Sequence, residues 1–322
     1  MPRRHNDPDN HLGQRLKLRE LQILLSVAQF GSMAKAAAHL STTQPAVSQA
    51  IADLEETVGV RLFDRTTQGV TPTVYGDILI KCGAESFDAL KQALREIEFL
   101  ATAGAGDVWV GCNETASLGL VPAVIQRLAK SHPKIVVHAT YEAPAEDGFD
   151  RLRERGLDLI VAGSVLSPRN EDLNVELLVE ESFCIVTAAH SPWARRRKVA
   201  LADLMNESWI FGEPGNAVQK KISETFRAKV GALPPISVFT VLMNVRLALL
   251  ASGGYVSCIP RSVYRYGVQG RPLKALPIDM GLKLPIQVFT LKNRTLSPAA
   301  KLFIESAREA ARAMASENWA TP

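Results

Sequence analysis

The sequence predicts an α/β protein carrying a small helical head at its N-terminal end. Three observations carry this reading. Residues 18–58 hold three short helical patterns, followed by two β-prone pieces around Gly69. Residues 73–101 hold one uninterrupted stripe of heptad spacing. Beyond residue 106, short apolar strands alternate with amphipathic helices, the pattern of a largely parallel sheet covered by helices. A chain of 322 residues is long enough for two or three domains of roughly 100–200 residues each.

Composition removes several classes. Hydrophobic residues make up 47% and charged residues 22%, which excludes a disordered chain, a collagen and a coiled-coil rod. No run of about 18 apolar residues occurs, and the most apolar stretch, Val238 to Pro260, is broken by Asn244 and Arg246. Residues 1–15 are polar, read as a disordered segment and lack the apolar core of a secretory signal, so the expected location is cytoplasmic. The four cysteines, Cys82, Cys112, Cys184 and Cys258, have no short metal-ligand spacing and read as reduced, mostly buried small hydrophobes. A redox pair of Cys184 and Cys258 is the competing reading. The six histidines have no paired spacing, and no nucleophile elbow, P-loop, dinucleotide fingerprint or zinc-protease motif is found. No catalytic residue, metal or cofactor is therefore expected. The net charge is +4, but residues 1–75 hold eight Lys and Arg against seven Asp and Glu. Bulk charge does not argue for nucleic acid here, so geometry has to.

The head supplies that geometry. Leu18, Leu21, Leu24, Leu25 and Ala28 recur at helical spacing, and Phe30-Gly31 ends the segment. Ser32 can cap a second helix from Met33 to Leu40. Thr43 can cap a third, where Pro45 is tolerated in the first turn. Val47, Ile51, Leu54 and Val58 form one apolar stripe on it, while Gln44, Ser48 and Gln49 point elsewhere near its start. A DNA reader needs this division: the stripe anchors the helix, and polar side chains at its start reach base edges in the major groove. Gln can contact adenine with two bonds, and a helix start can hold a phosphate. Arg65 sits at the base of the wing around Gly69, placed for a phosphate contact.

The run from Ala36 through Ser41-Thr42-Thr43-Gln44-Pro45-Ala46-Val47-Ser48-Gln49 to Asp53-Leu54-Glu55 resembles the winged helix-turn-helix of LysR-type transcriptional regulators. Gly59-Val60-Arg61-Leu62-Phe63-Asp64-Arg65 and the wing ending at Thr73 and Gly76 continue the resemblance. It implies Gln44, Pro45, Ser48 and Gln49 at the groove and Thr43 at the backbone. Ser32, Arg65 and Gln68 complete the expected DNA-facing set, although Gln68 stands where a basic residue is frequent. The head then spans residues 16–72 and a linker helix residues 73–102. Its stripe, Gly76, Ile80, Gly83, Phe87, Leu90, Leu94, Ile97 and Ala101, is expected to pair with the same helix of a second chain. A two-fold dimer would present two reading helices to an interrupted palindrome.

Strands are expected at Val108–Gly111, Ile135–Tyr141, Leu157–Val161, Phe183–Thr187, Ile236–Thr240, Val256–Ile259 and Ile286–Leu291. Helices are expected at Val121–Lys130, Phe149–Arg155, Ala217–Lys229, Leu242–Ala251 and Ser297–Ala315. Leu157-Asp158-Leu159-Ile160, Gly253-Gly254-Tyr255-Val256 and Leu296-Ser297-Pro298 extend the resemblance. It implies an effector domain of two Rossmann-like α/β lobes, like a type II periplasmic binding protein. Lobe I would hold residues 107–181 and 286–316, and lobe II residues 182–285. The expected cleft residues are Asn113, Thr115 and Ser117, then Gly163 and Ser164, in lobe I. In lobe II they are Glu213, Asn216, Thr240 and Asn244. Helix starts and hydroxyls suit a carboxylate-bearing small molecule. Glu114 and Glu142 read as acidic rim residues, and Arg195–Lys198 as a solvated basic loop. The resulting expectation is a DNA-binding transcriptional regulator whose action is modulated by a small-molecule effector in the cleft. Its partners would be double-stranded DNA, a second copy in a homodimer or homotetramer, and RNA polymerase. The alternatives are a ligand-independent architectural DNA binder and an enzyme on the same fold.

Overall fold

The computed structural model describes residues 16–66, 69–142, 149–163 and 170–316. The expected residues Gln68 and Ser164, and the segment 1–15, lie outside the described residues. The chain forms two compact units that divide between Lys91 and Gln92.

The first unit starts with α1 (Leu18–Phe30), α2 (Met33–His39) and α3 (Gln44–Val58). Local signals set their ends. Gly31 takes a left-handed φ of 60° and donates its N–H to Val27 O, a conformation that glycine adopts without strain. Ser32 Oγ caps α2 by accepting from Lys35 N, and Thr43 Oγ1 caps α3 by accepting from Ala46 N. Leu24, Val27, Ala36, Val47, Ile51 and Leu54 fill the shared core. Strands β1 (Phe63–Thr66) and β2 (Gly69–Pro72) pair antiparallel as the wing. Val70 N donates to Gly31 O at 2.9 Å, so the wing lies against the α1–α2 turn. A side chain at Gly69 would come within 2.6 Å of the same carbonyl, which restricts the position to glycine.

Helix α4 (Val74–Ala101) runs 28 residues, about 42 Å at 1.5 Å per residue. Thr73 Oγ1 accepts from Gly76 N at its start. Its stripe divides in two, which corrects the expectation that all of it faces a partner. Leu79, Ile80 and Phe87 pack on the head's own core, and Gly76 and Gly83 are buried against Leu62 and Leu21. Leu90, Leu94 and Ile97 remain exposed, as does Ile78 elsewhere on the helix.

The second unit is built on one sheet in the order β4-β3-β5-β11-β6-β9-β7-β8, with β10 (Leu273–Ala275) beside β6. Strands β3 (Gly106–Cys112), β4 (Ile135–Tyr141) and β5 (Leu159–Gly163) are parallel, as are β7 (Trp209–Phe211), β8 (Ile236–Phe239) and β9 (Val256–Pro260). Between them β6 (Leu173–Ala188) and β11 (Lys283–Leu291) run antiparallel. The sheet is therefore mixed rather than largely parallel. The 16-residue β6 pairs with β11 up to Ser182 and with β9 from Phe183 onward. Strand β11 enters at Lys283, three residues before the expected crossing at Ile286. Helices α5 (Glu114–Leu118), α6 (Leu120–Ser131), α7 (Asp150–Arg153) and α10 (Pro298–Ser316) flank the first end, lobe I, around Val110, Leu159, Val288 and Phe303 on one face and Phe149, Ile160 and Phe289 on the other. Helices α8 (Ala217–Val230) and α9 (Met243–Ser252) flank the second end, lobe II. In β6, Phe183 and Ile185 enter one lobe II core while Cys184 and Val186 enter the other. Cys258 and Cys184 thus lie on opposite faces of the sheet, which argues against their pairing. Burial pushes the Cys112 thiol up to about 11 and Cys184 to about 12. Cys112, Cys184 and Cys258 are buried, in line with the expectation of mostly buried cysteines, and Cys82 is exposed on α4.

Near its end α4 meets lobe I through Arg95. Its guanidinium pairs with Asp158 Oδ1 at 3.1 Å and stacks on Trp109 at 4.4 Å. Asp158, 1% exposed, also pairs with Arg294 at 3.1 Å and accepts from Trp109 N at 3.0 Å.

Candidate DNA-reading head and effector cleft

The start of α3 is exposed at Gln44, Pro45 and Gln49 and half-buried at Ser48, over a stripe of Val47, Ile51 and Leu54 that is at most 1% exposed. The wing reaches it through Arg65, whose Nη2 donates to Ser48 Oγ at 3.4 Å. Arg65, Ser48 and the α3 start thus form one polar surface, to which Ser32 adds a cap in the neighbouring turn. Gln49 is less free than its position suggested, because its Nε2 donates to Asp53 Oδ1 at 2.7 Å. Glu55 entered the sequence reading as part of the motif, without a role of its own. Its Oε1 accepts from Leu62 N at 2.7 Å and Phe63 N at 3.1 Å, fixing β1 to the reading helix.

In the second unit the expected residues lie at the carboxyl ends of strands, where ligands of open α/β sheets bind. Asn113 follows β3 and Gly163 ends β5, and Asn113 Nδ2 donates to Gly163 O at 3.4 Å. Asn113 Oδ1 accepts from Ala116 N at 3.0 Å, and Ser117 Oγ donates to Glu114 O at 2.7 Å. Thr115 is half-buried in the same turn. Across in lobe II, Glu213 is exposed after β7, and Asn216 Oδ1 caps α8 by accepting from Val218 N and Gln219 N. Thr240 Oγ1 accepts from Leu242 N at 3.1 Å, and Asn244 Oδ1 accepts from Val245 N at 2.8 Å. Asn113, Ser117, Asn216, Thr240 and Asn244 therefore make caps or turns of their own.

Two acidic residues behave differently from the rim reading. Glu142 is held by Arg151 at 3.3 Å. Glu114 reaches from lobe I to lobe II, where its Oε1 accepts from Met243 N at 2.7 Å, at the first residue of α9. Arg246, one turn further on, is 6% exposed, and burial pulls its guanidinium below the usual range. Its Nη2 donates to Thr240 O at 2.8 Å, and its Nε has no partner among the described residues. No motif marks Arg246 in the sequence, and the apolar run around it hides it. At the junction of the lobes, buried Glu181 accepts from Ser262 N at 3.2 Å, and burial pushes its carboxyl up. The Arg195–Lys198 loop is exposed, with Arg196 stacked on Trp193 at 4.4 Å. No helix among the described residues is long and apolar enough to cross a membrane.

Comparison with known proteins agrees with this division. Residues 18–77 match the bacterial regulatory helix-turn-helix protein family of the lysR type, and residues 102–312 match the LysR substrate binding domain. The HTH-type transcriptional regulator GbpR of Azospirillum brasilense is 29% identical over 310 residues, covering 95% of this chain and 90% of the relative. Full-length CbnR complexed with its target DNA shares the fold with a TM-score of 0.54 at 21% identity, covering 92% of this chain and 100% of that one. The effector binding domain of QuiR in complex with shikimate does so with a TM-score of 0.51 at 23% identity, covering 65% of this chain and 98% of that one. The chain belongs to the LysR family of bacterial transcriptional regulators, with a helix-turn-helix DNA-binding domain followed by an effector-binding domain.

Proposed function

We propose that this regulator reads an interrupted palindromic operator as a homodimer and answers to a carboxylate-bearing small molecule held between lobes I and II. The observation that carries the reading is the polar surface joining Gln44, Pro45, Ser48 and Gln49 to Arg65 of the wing. In this reading Gln44 and Ser48 face bases, and Thr43, Ser32 and Arg65 face phosphates; Gln68 belongs to the same wing by position. The exposed Leu90, Leu94 and Ile97 on α4 support a second copy as the partner of that helix, and two dimers would make a tetramer. The DNA bound to CbnR and the shikimate bound to QuiR support the two ligand classes. Asn113, Thr115, Ser117, Gly163 and Ser164 would line the cleft from lobe I. Glu213, Asn216, Thr240 and Asn244 would line it from lobe II. The effector would shift the population between lobe arrangements that it binds differently. The protein would act as a switch rather than an enzyme, in the cytoplasm where its DNA lies, and RNA polymerase would be its downstream partner.

Selection of bound fragments from genomic DNA at fixed salt tests this. The expected result is an enriched two-fold sequence, with Gln44→Ala weakening specific binding by about 1–3 kcal/mol and relaxing one position in each half-site. An unchanged sequence preference in that variant would remove Gln44 from the groove.

A further inference from the structure

We propose that Glu114 is a resident carboxylate seated in the anion subsite of the cleft, and that the effector's carboxylate takes its place at the start of α9. The inference rests on the effector reading above and names the position and chemistry of one contact within it.

A helix start leaves N–H groups without intrahelical partners, and a Ser, Thr, Asp or Asn side chain usually accepts from them. Helix α9 has Leu242 at that position and no side-chain cap of its own. The neighbouring polar side chains serve other N–H groups of this turn, Thr240 Oγ1 that of Leu242 and Asn244 Oδ1 that of Val245. The N–H of Met243 instead goes to Glu114 Oε1, 129 residues away and in the other lobe. A carboxylate is thus already in place where the helix dipole favours negative charge.

Arg246 is the second, independent observation. It is 94% buried by its exposure of 6%, and among the described residues it donates to neutral backbone oxygens, Thr240 O and Cys258 O. Its Nε is buried without a partner among the described residues. Glu114 is near enough for its charge to act on the Arg246 guanidinium. A buried guanidinium is costly unless it is paired and hydrogen-bonded. The helix start and Arg246 together present donors and positive charge, which suit a carboxylate and repel an amine.

Glu114 differs from a free ligand in one respect: it is fastened to lobe I. While it caps α9 it ties the two lobes. A free carboxylate in the same seat would keep α9 capped and release that tie. The exchange gives the ligand differential affinity for the two lobe arrangements, which any ligand-driven switch requires.

The test uses the full chain and two probes, sodium acetate and ethylammonium chloride, at matched ionic strength. Glu114 is half-buried, and Glu114→Ala removes its side chain beyond Cβ without touching a core residue. We expect acetate to bind Glu114→Ala saturably, by calorimetry and by a rise in Tm, at least tenfold more tightly than the wild type. Ethylammonium should bind neither. Glu114→Gln keeps an acceptor oxygen without the charge and should fall between the two. Equal acetate affinity in wild type and Glu114→Ala would overturn the proposal, as would saturable ethylammonium binding to the wild type that Glu114→Ala loses. Footprinting on the operator separates this from the effector reading. Acetate binding to Glu114→Ala with an unchanged footprint would leave the subsite standing and sink the switch. A footprint that responds to cell metabolites without acetate binding would do the reverse.

Discussion

Each of the two units is held internally by polar bonds, and their reach along the chain differs. In the reading head, Glu55 holds Leu62 seven residues on, Thr73 holds Arg61 twelve residues back, and Arg65 holds Ser48 seventeen residues back. In the effector unit, Arg95 holds Asp158 at a separation of 63, Glu181 holds Ser262 at 81, Glu114 holds Met243 at 129, and Arg308 holds Glu176 at 132. The head is a small helical unit whose side-chain ties join segments close to one another in the chain. The effector unit brings strands from both ends of its sequence into one sheet, so its polar ties close long loops. A reader of DNA gains from a rigid local frame. A ligand-controlled pair of lobes gains from ties that can be exchanged.

The buried long-range tie should be the most costly to break. Asp158 answers Arg294, whose side chain is 1% exposed, and Arg95, whose side chain is 17% exposed. Arg294 Nη1 also donates to Leu157 O. Removing the carboxylate takes the Asp158 charge away from the buried Arg294 guanidinium, an effect of about 3–5 kcal/mol. Asp158→Ala should therefore destabilise the effector unit by that amount in urea unfolding followed by Trp fluorescence, since Trp109 stacks in the same cluster. A loss below about 1 kcal/mol would mean that water reaches Arg294 in the variant.

Which parts were legible in the sequence follows the same division. Thr43, Asn113, Asn216 and Ser297 were readable as caps or polar helix starts because residue type and the following periodicity are adjacent in the chain. The strand Trp209–Phe211 was not read, because three consecutive buried residues carry no period. The first half of β6 was not read either: Asn174, Glu176 and Glu180 interrupt its apolar residues, and much of it is exposed. Phe183–Thr187 and Ile286–Leu291 were read as strands, but the antiparallel direction of β6 and β11 was not, because a strand-helix alternation assumes parallel crossovers. The stripe of α4 was visible, but not its division, since the head that covers Ile80 and Phe87 is a tertiary neighbour. In the cleft, the expected side chains cap their own turns, whereas Glu114 and Arg246 become informative only once two distant segments meet.

An intermediate effect comes from converting a distant cap into a local one. Leu242 is half exposed and has the extended backbone of a helix cap, φ −72° and ψ 105°. Leu242→Asp places an acceptor beside the first N–H groups of α9, and a good cap contributes about 0.5–2 kcal/mol. In a double-mutant cycle, the destabilisation by Glu114→Ala should shrink in the Leu242→Asp background by at least about 0.5 kcal/mol. Strict additivity would show that Glu114 acts on the lobes without serving as the cap of α9. Thr43 supplies the contrast within the head, because its cap is already local.

The smallest effect is expected where a long-range tie is exposed. Arg308 grips Glu176 with two bonds, Nε to Oε1 at 2.6 Å and Nη2 to Oε2 at 2.9 Å, but the side chains are 44% and 40% exposed. The bond from Arg308 holds the Glu176 carboxyl below its ordinary range, against an opposing contribution from burial. A carboxylate with a lowered folded value stabilises the protein above its unfolded value and loses that contribution as pH falls through the folded one. Arg308→Ala should thus cost at most about 1 kcal/mol at neutral pH, less in high salt. The difference from wild type should fade as pH drops below the ordinary carboxylate value of about 4.3. Denaturant unfolding in a pH series checks both. If the difference survives in acid and in high salt, Arg308 contributes through its aliphatic stem lying on β6 rather than through charge. Separation in sequence would then say how a tie is made, and burial alone would say what it is worth.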